Sequence, residues 1–255
     1  MMSLGGGETQ TAILEICVES VAGAAAAVAG GCDRIELCSA LALGGLTPSA
    51  GLVEGVLAVT APAGIPVRAM VRPRPGGFDY DADDLALALA EARTLIAAGV
   101  QGLVFGASAD GGLAREALAE WRDGLGADIG LTLHRVVDVL DDPVAAVEDA
   151  VALGFDRVLT SGGATNALAG AETIARMFAR AGGRCAIIAG AGVSPANVAA
   201  LIAATSVREV HGSASEAVPQ PHDAFGFGPM PRRTSASIVA ALRQAVDDKS
   251  NIRQL

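Results

Sequence analysis

The stretch "DRIELCSALALGGLTPS", Asp33 to Ser49, decides the fold. Its core, "RIELC", is long enough for one short strand. Side chains alternate across a strand, so Ile35 and Leu37 share one face and Glu36 and Cys38 the other. About twenty residues earlier "LEICV" repeats the pattern. Leu14, Ile16 and Val18 face one way, Glu15 and Cys17 the other. Two strands with one apolar face and one face carrying Glu-x-Cys need an environment that is greasy on one side only.

Six further runs have strand character: 66–72, 102–106, 129–134, 156–161, 185–190 and 208–213. With 14–18 and 33–38 they make eight. Ala-rich stretches of helical composition separate them, among them "SVAGAAAAVAGG", "DADDLALALAEARTLIAAG", "DPVAAVEDAVALG" and "SPANVAALIAATS". Asp142 before Pro143 and Ser194 before Pro195 are predicted N-caps, with proline at the first helical position. Gly31, Gly99 and Gly154 are predicted to close helices. A last amphipathic stretch, "SASIVAALRQAVDD", follows the eighth strand.

Eight strands alternating with eight helices in 255 residues is the rhythm of a single (β/α)8 TIM-type barrel. A doubly wound open sheet would show near-continuous apolar strands, because helices cover both of its faces. Here "VRAMVR" sets Val67, Ala69 and Val71 against Arg68, Met70 and Arg72. "LTLHR" sets Leu131 and Leu133 against Thr132 and His134, and "EVHGS" groups Glu209, His211 and Ser213. Polar faces of this kind suit a barrel interior. The predicted organisation is a tail at 1–12, one barrel domain at 13–248 with a Pro/Gly-rich loop at 215–233 after the eighth strand, and a tail at 249–255.

Composition removes several function classes. The net charge is −10 and aromatics are 3% of the chain, so nucleic-acid binding by basic clusters or stacking platforms is not expected. The opening "MMSLGGGETQ" lacks the basic and apolar regions of a signal peptide, and no apolar run is long enough to span a bilayer. The expectation is a cytoplasmic protein without membrane partners. The four cysteines, Cys17, Cys32, Cys38 and Cys185, form no C-x-x-C pair. The single lysine, Lys249, lies near the C-terminus, which disfavours Schiff-base aldolase and pyridoxal-phosphate chemistry.

The strand ends also carry a resemblance. "EICVES", "DRIELC", "GGLTPS", "AMVRPR", "VFG", "LHRVVD", "LTSGG", "AGAGVSPANV" and "EVHGSA" resemble, in this order, the signature segments of the CutC family. The resemblance runs from about Leu14 to Ala214. It implies a TIM-type barrel, a cytosolic location, a homo-oligomer (dimer or tetramer) and a role in copper homeostasis. It also implies Cys17 and Cys38 as metal ligands, for Cu(I). Leu133, Val136, Val137, Ala189 and Ala191 depart from the family's usual residues, which bears on the fine shape of the pocket.

Neighbouring barrel strands lie about 4.8 Å apart, so two inward thiols at the ends of the first two strands suit a soft ion. Small buried hydrophobes are the structural alternative for the same cysteines. The inward charges, Glu15, Glu36, Arg68, Arg72, His134 and Glu209, need partners, because an unpaired buried charge costs several kcal/mol. They make either a Glu–Arg network plugging the barrel or a polar site at its C-terminal mouth. For the site reading, Glu15, Glu36, His134, His211 and Asp138 are the catalytic candidates, with Asp138 orienting His134 or Arg135. Arg72 and Arg74 suit a small anionic ligand. Ser161, Gly162 and Gly163, then Gly190 and Gly192, then Gly212 and Ser213, fall after the last three strands, where barrels of this kind cradle phosphate. An enzyme acting on a small anionic or phosphorylated molecule is therefore the alternative to copper binding, and a non-catalytic scaffold is the third reading.

Overall fold

The structure is a computed structural model, and it describes residues 12–126, 128–218 and 232–252. Eight parallel strands close into a barrel: β1 (Ile13–Val18), β2 (Arg34–Leu37), β3 (Val67–Met70), β4 (Gly102–Phe105), β7 (Gly130–Leu133), β8 (Arg157–Thr160), β9 (Ala186–Ala189) and β10 (Glu209–Gly212). The ring closes by pairing β1 with β10. Eight helices connect and cover the strands: α1 (Val21–Ala29), α2 (Ala50–Thr60), α3 (Ala82–Ala97), α4 (Arg115–Gly124), α5 (Ala146–Ala152), α6 (Ala171–Ala181), α7 (Val198–Thr205) and α8 (Ala236–Ile252). Two small antiparallel hairpins lie outside the barrel. One pairs β5 (Ser108–Ala109) with β6 (Gly112–Leu113), and the other pairs β11 (Ser215–Ala217) with β12 (Arg232–Thr234).

The alternation read from "RIELC" and "LEICV" holds. Leu14, Ile16, Val18, Ile35 and Leu37 are fully buried in the apolar layer between strands and helices. The opposite faces fill the barrel. Gly31, Gly99 and Gly154 follow their helices with positive φ, the conformation that glycine adopts without a Cβ penalty.

Two predicted caps work differently. Asp142 accepts hydrogen bonds from the N–H groups of Val144 and Ala145, closing a turn, and α5 begins only at Ala146. Ser194 caps nothing with its hydroxyl. Its own N–H donates to Asn197 Oδ1, and α7 begins at Val198. In both places a turn absorbs the proline before the helix starts. The ends of the predicted 215–233 loop pair as β11 and β12, and residues 219–231 lie outside the described residues, as do 1–11 and 253–255. Helix α8 runs to Ile252, so the first part of the predicted C-terminal tail is helical.

Candidate functional site

Register decides which inward charges meet. Glu15 on β1 lies level with Arg34 on β2 and with His211 on β10. It does not lie beside Glu36, whose register partner is Cys17. The parallel pairing is offset from a simple match of the two Glu-x-Cys motifs, and the offset gives each acid a cation.

The lower half of the barrel is an ion-pair chain. Arg34 pairs with Glu15 and, at 2.5 Å, with Glu209. Arg157 bridges Glu209 at 3.1 Å and Asp156 at 2.9 Å. Arg68 pairs with Asp156 at 3.0 Å and donates to Thr132 Oγ1 at 3.0 Å. Gly102 and Gly130 leave the room for Arg68, since a Cβ at either would stand within 2.8 Å of that side chain. This is the plugging network expected for part of the inward charge. Arg34 and Arg157 were not among the expected members, though each shares a face with a residue pointing inward.

Above this floor lies the mouth. A cavity of 280 Å³ is lined by Cys17, Glu36, Arg72, His134, His211 and Ser213, among others. Gly192 and Gly212 line it too. Cys17, Glu36 and His211 each offer one donor atom within 4.8 Å of the other two. His211 Nδ1 lies 2.8 Å from Glu15 Oε1, and its Nε2 lies 3.7 Å from Glu36 Oε2. Burial opposes a charge on His211, but Glu36, Cys17 and Glu15 outweigh it and raise the imidazole pKa well above its ordinary value. Arg34 and His211 overcome burial at Glu15 and hold that carboxyl below the usual range. Burial pushes Glu36 the other way, upward, and its Oε1 has no hydrogen-bond partner.

Cys38 is inward but stands one level nearer the mouth than Glu36 and Cys17. Its thiol donates to Glu36 Oε2 at 3.5 Å and packs with Met70 and Val104. Burial, then Glu36, raises its pKa well above normal, so the thiol keeps its proton. The two cysteines are offset by two residues in register, and Cys17 is a further, smaller cause of the raised Cys38 pKa. Cys32 and Cys185 are buried at the opposite end of the barrel, and burial pushes Cys32 up to about 12.

Across the cavity, His134 Nδ1 accepts the N–H of Val136 at 3.1 Å. The tautomer is thereby set, with the proton on Nε2, which has no partner. Burial, then the nearby Arg72 charge, depresses His134 to about 3, so the ring is neutral. Arg72 lies over the Phe78 ring, and Phe78 packs against His134.

Several sequence candidates sit elsewhere. Arg74 pairs with Asp84 at 2.6 Å and does not line the cavity. Asp138 pairs with Arg135, not with His134. Its carboxylate also accepts the Thr160 hydroxyl and the N–H groups of Ser161 and Gly163. The loop after β8, expected as part of a phosphate cradle, therefore spends those donors on the chain's own aspartate. Gly162 faces Gly170, where a Cβ would sit 2.4 Å from the Gly170 oxygen. Gly190 donates its N–H to Thr160 and is also outside the cavity lining. Chemically, the mouth can ligate a cation at Cys17, Glu36 and His211, or move a proton between His211 and a bound molecule.

The CutC family profile matches residues 12–216. The chain belongs to the CutC family. A CutC family protein of Caulobacter vibrioides is 47% identical over 243 residues, covering 92% of this chain and 95% of the relative. Another, of Rhizobium meliloti, is 45% identical over 240 residues, covering 92% and 96%. The crystal structure of a CutC protein from Streptococcus agalactiae, named for copper homeostasis, superposes with a TM-score of 0.75 at 27% identity, covering 79% of this chain and 98% of that one. The matched region of this CutC family member spans all eight barrel strands and every residue of the mouth. Among its described residues, no helix is long and apolar enough to cross a membrane.

Proposed function

We propose that this CutC family protein binds copper at the barrel mouth, with Cys17, His211 and Glu36 as ligands. The observation that carries the reading is the placement of His211. Its Nδ1 is held 2.8 Å from Glu15, and its Nε2 faces the Cys17 and Glu36 side. A carboxylate behind one imidazole nitrogen is the arrangement that orients a histidine toward a metal on the other. The donor set fits the ion. Thiolate and imidazole suit copper, and the unpartnered buried Glu36 oxygen is a place where positive charge would be compensated. Three donors at about 2.0–2.3 Å from one ion stand about 3.5–4.0 Å apart, so these three, within 4.8 Å of one another, close on an ion with small side-chain shifts. Copper is the cargo here, as the name of the streptococcal relative suggests. Four unpaired buried thiols agree with a reducing, cytosolic setting.

This ligand set differs from the cysteine pair that the family resemblance implies. Cys38 stands a level away and packs against the apolar side chains of Met70 and Val104. A competition titration with a Cu(I) chelator separates the two. The expected result is one Cu(I) per chain, at least tenfold weaker binding in Cys17→Ser and in His211→Phe, and less than threefold weakening in Cys38→Ser. Equal copper binding by wild type and the Cys17→Ser/Cys38→Ser double variant would end the reading.

A further inference from the structure

Among the described residues, seven buried side-chain nitrogen or oxygen atoms have no hydrogen-bond partner. Three of them, Glu36 Oε1, Arg72 Nε and His134 Nε2, belong to residues lining the one mouth cavity. Native proteins leave few such atoms, and a cluster of them around a cavity marks a place where a ligand belongs. The Glu36 atom is an acceptor that the proposed copper ion would compensate. The other two are donors, Arg72 at the end of β3 beside Glu36's strand and His134 at the end of β7, and they ask for an acceptor.

Arg72 is the more telling of the two. It is 6% exposed. The other two buried arginines have acids: Arg34 has Glu15 and Glu209, and Arg68 has Asp156. Arg72 has none within 4.0 Å among the described residues. Its Nη1 donates to the carbonyls of Leu43 and Gly45, and its Nη2 to that of Gly76. Carbonyl dipoles solvate the guanidinium without neutralising it. A buried charge with no counter-charge is costly, so the site gains from an anion. Next to it the neutral His134 holds its Nε2–H without an acceptor. Gly192, Val193 and Ser213 also line the cavity, and their backbone N–H groups have no partner among the described residues.

We propose that the mouth binds a small molecule bearing a carboxylate or phosphate group, with its anionic oxygens against Arg72 and His134 Nε2–H. At 280 Å³ the cavity is just below the roughly 300 Å³ at which pockets for drug-sized ligands begin, so the ligand is metabolite-sized. Glu36 Oε1, also without a partner among the described residues, is an acceptor in the same lining. The molecule therefore presents a hydrogen-bond donor or a metal-bound group there. Arg74, held by Asp84, takes no part. The inference rests on none of the three copper ligands except for Glu36.

The test uses metal-free, reduced wild-type protein, labelled with 15N at histidine. Inorganic phosphate and malonate are titrated separately, following the His134 Nε2 resonance and the heat of binding. The expected result is a saturable shift of that resonance with at least one anion, and at least tenfold weaker binding in Arg72→Met, which keeps an apolar stem over Phe78. Tighter phosphate than malonate binding identifies a phosphate ligand, and the reverse order a carboxylate. No shift of His134 Nε2 with either anion, or equal affinity in folded Arg72→Met, overturns the proposal. If Arg72→Met does not fold, the wild-type resonance alone decides. No metal is present, so failure here leaves the copper reading standing, and failure of the copper titration leaves this one standing.

Discussion

His134 shows how a single residue's surroundings set its chemistry. The sequence marks it as one of three histidines and one of two at strand ends. Its face, inward, follows from alternation with Thr132. Its charge state does not, because that depends on Arg72 and on burial. The folded ring titrates at about 3, against an ordinary histidine value near 6.5. Between these two values the unfolded chain binds a proton that the folded chain refuses. Stability from this group is therefore complete above about pH 6.5 and is lost as pH falls toward 3. Chemical denaturation at pH 7 and pH 5 measures it. Wild type is expected to lose about 2 kcal/mol more than His134→Gln over that interval. Equal losses would show that His134 is not held neutral. Glu15 and Glu36 make the same point. Both were legible as inward acids, but their fates diverge. Arg34 and His211 hold one ionised, and burial pushes the other up.

At the scale of elements, strand faces were legible and strand register was not. The face follows from a period of two within one strand, so Ile35, Leu37, Glu36 and Cys38 could be sorted without a partner. Register depends on the shear of the closed barrel, a property of all eight strands together. For this reason a residue-for-residue match of the two motifs would set Glu15 beside Glu36 and Cys17 level with Cys38, whereas the barrel sets Cys17 level with Glu36. The glycine-rich turn after β8 is a second case. Its composition is the same for a phosphate cradle and for close packing. Here the packing is explicit: a Cβ at Gly170 would stand 1.9 Å from the Ser161 carbonyl oxygen. Gly170→Ala must therefore push this turn off Asp138, at a cost of about 3 kcal/mol. A melting temperature lower by roughly 6–10 °C is expected, whereas Gly51→Ala, with nothing within 4 Å of its Cβ, should hold or raise it. A Gly170→Ala protein melting with wild type would contradict the packing. Ala191, at φ +82°, stands in a conformation that favours glycine.

For the whole molecule, fold class followed from rhythm: eight strands, eight helices and polar inner faces admit few other closed arrangements. What the barrel adds is separation by height. The floor pairs its charges among themselves through Arg34, Arg68, Arg157, Glu209 and Asp156. The mouth leaves atoms unpaired among the described residues, on Glu36, on Arg72 of the neighbouring strand and on His134. Partner choice across 196 residues of chain, such as His211 with Glu15, had no signature in either segment alone. The central claim is that copper is held by one thiolate with imidazole and carboxylate, not by a thiolate pair. X-ray absorption at the copper edge of the loaded wild-type protein reads the donor atoms directly. One sulfur at about 2.3 Å accompanied by nitrogen or oxygen donors is the predicted shell. A shell of two sulfurs without nitrogen or oxygen would contradict it.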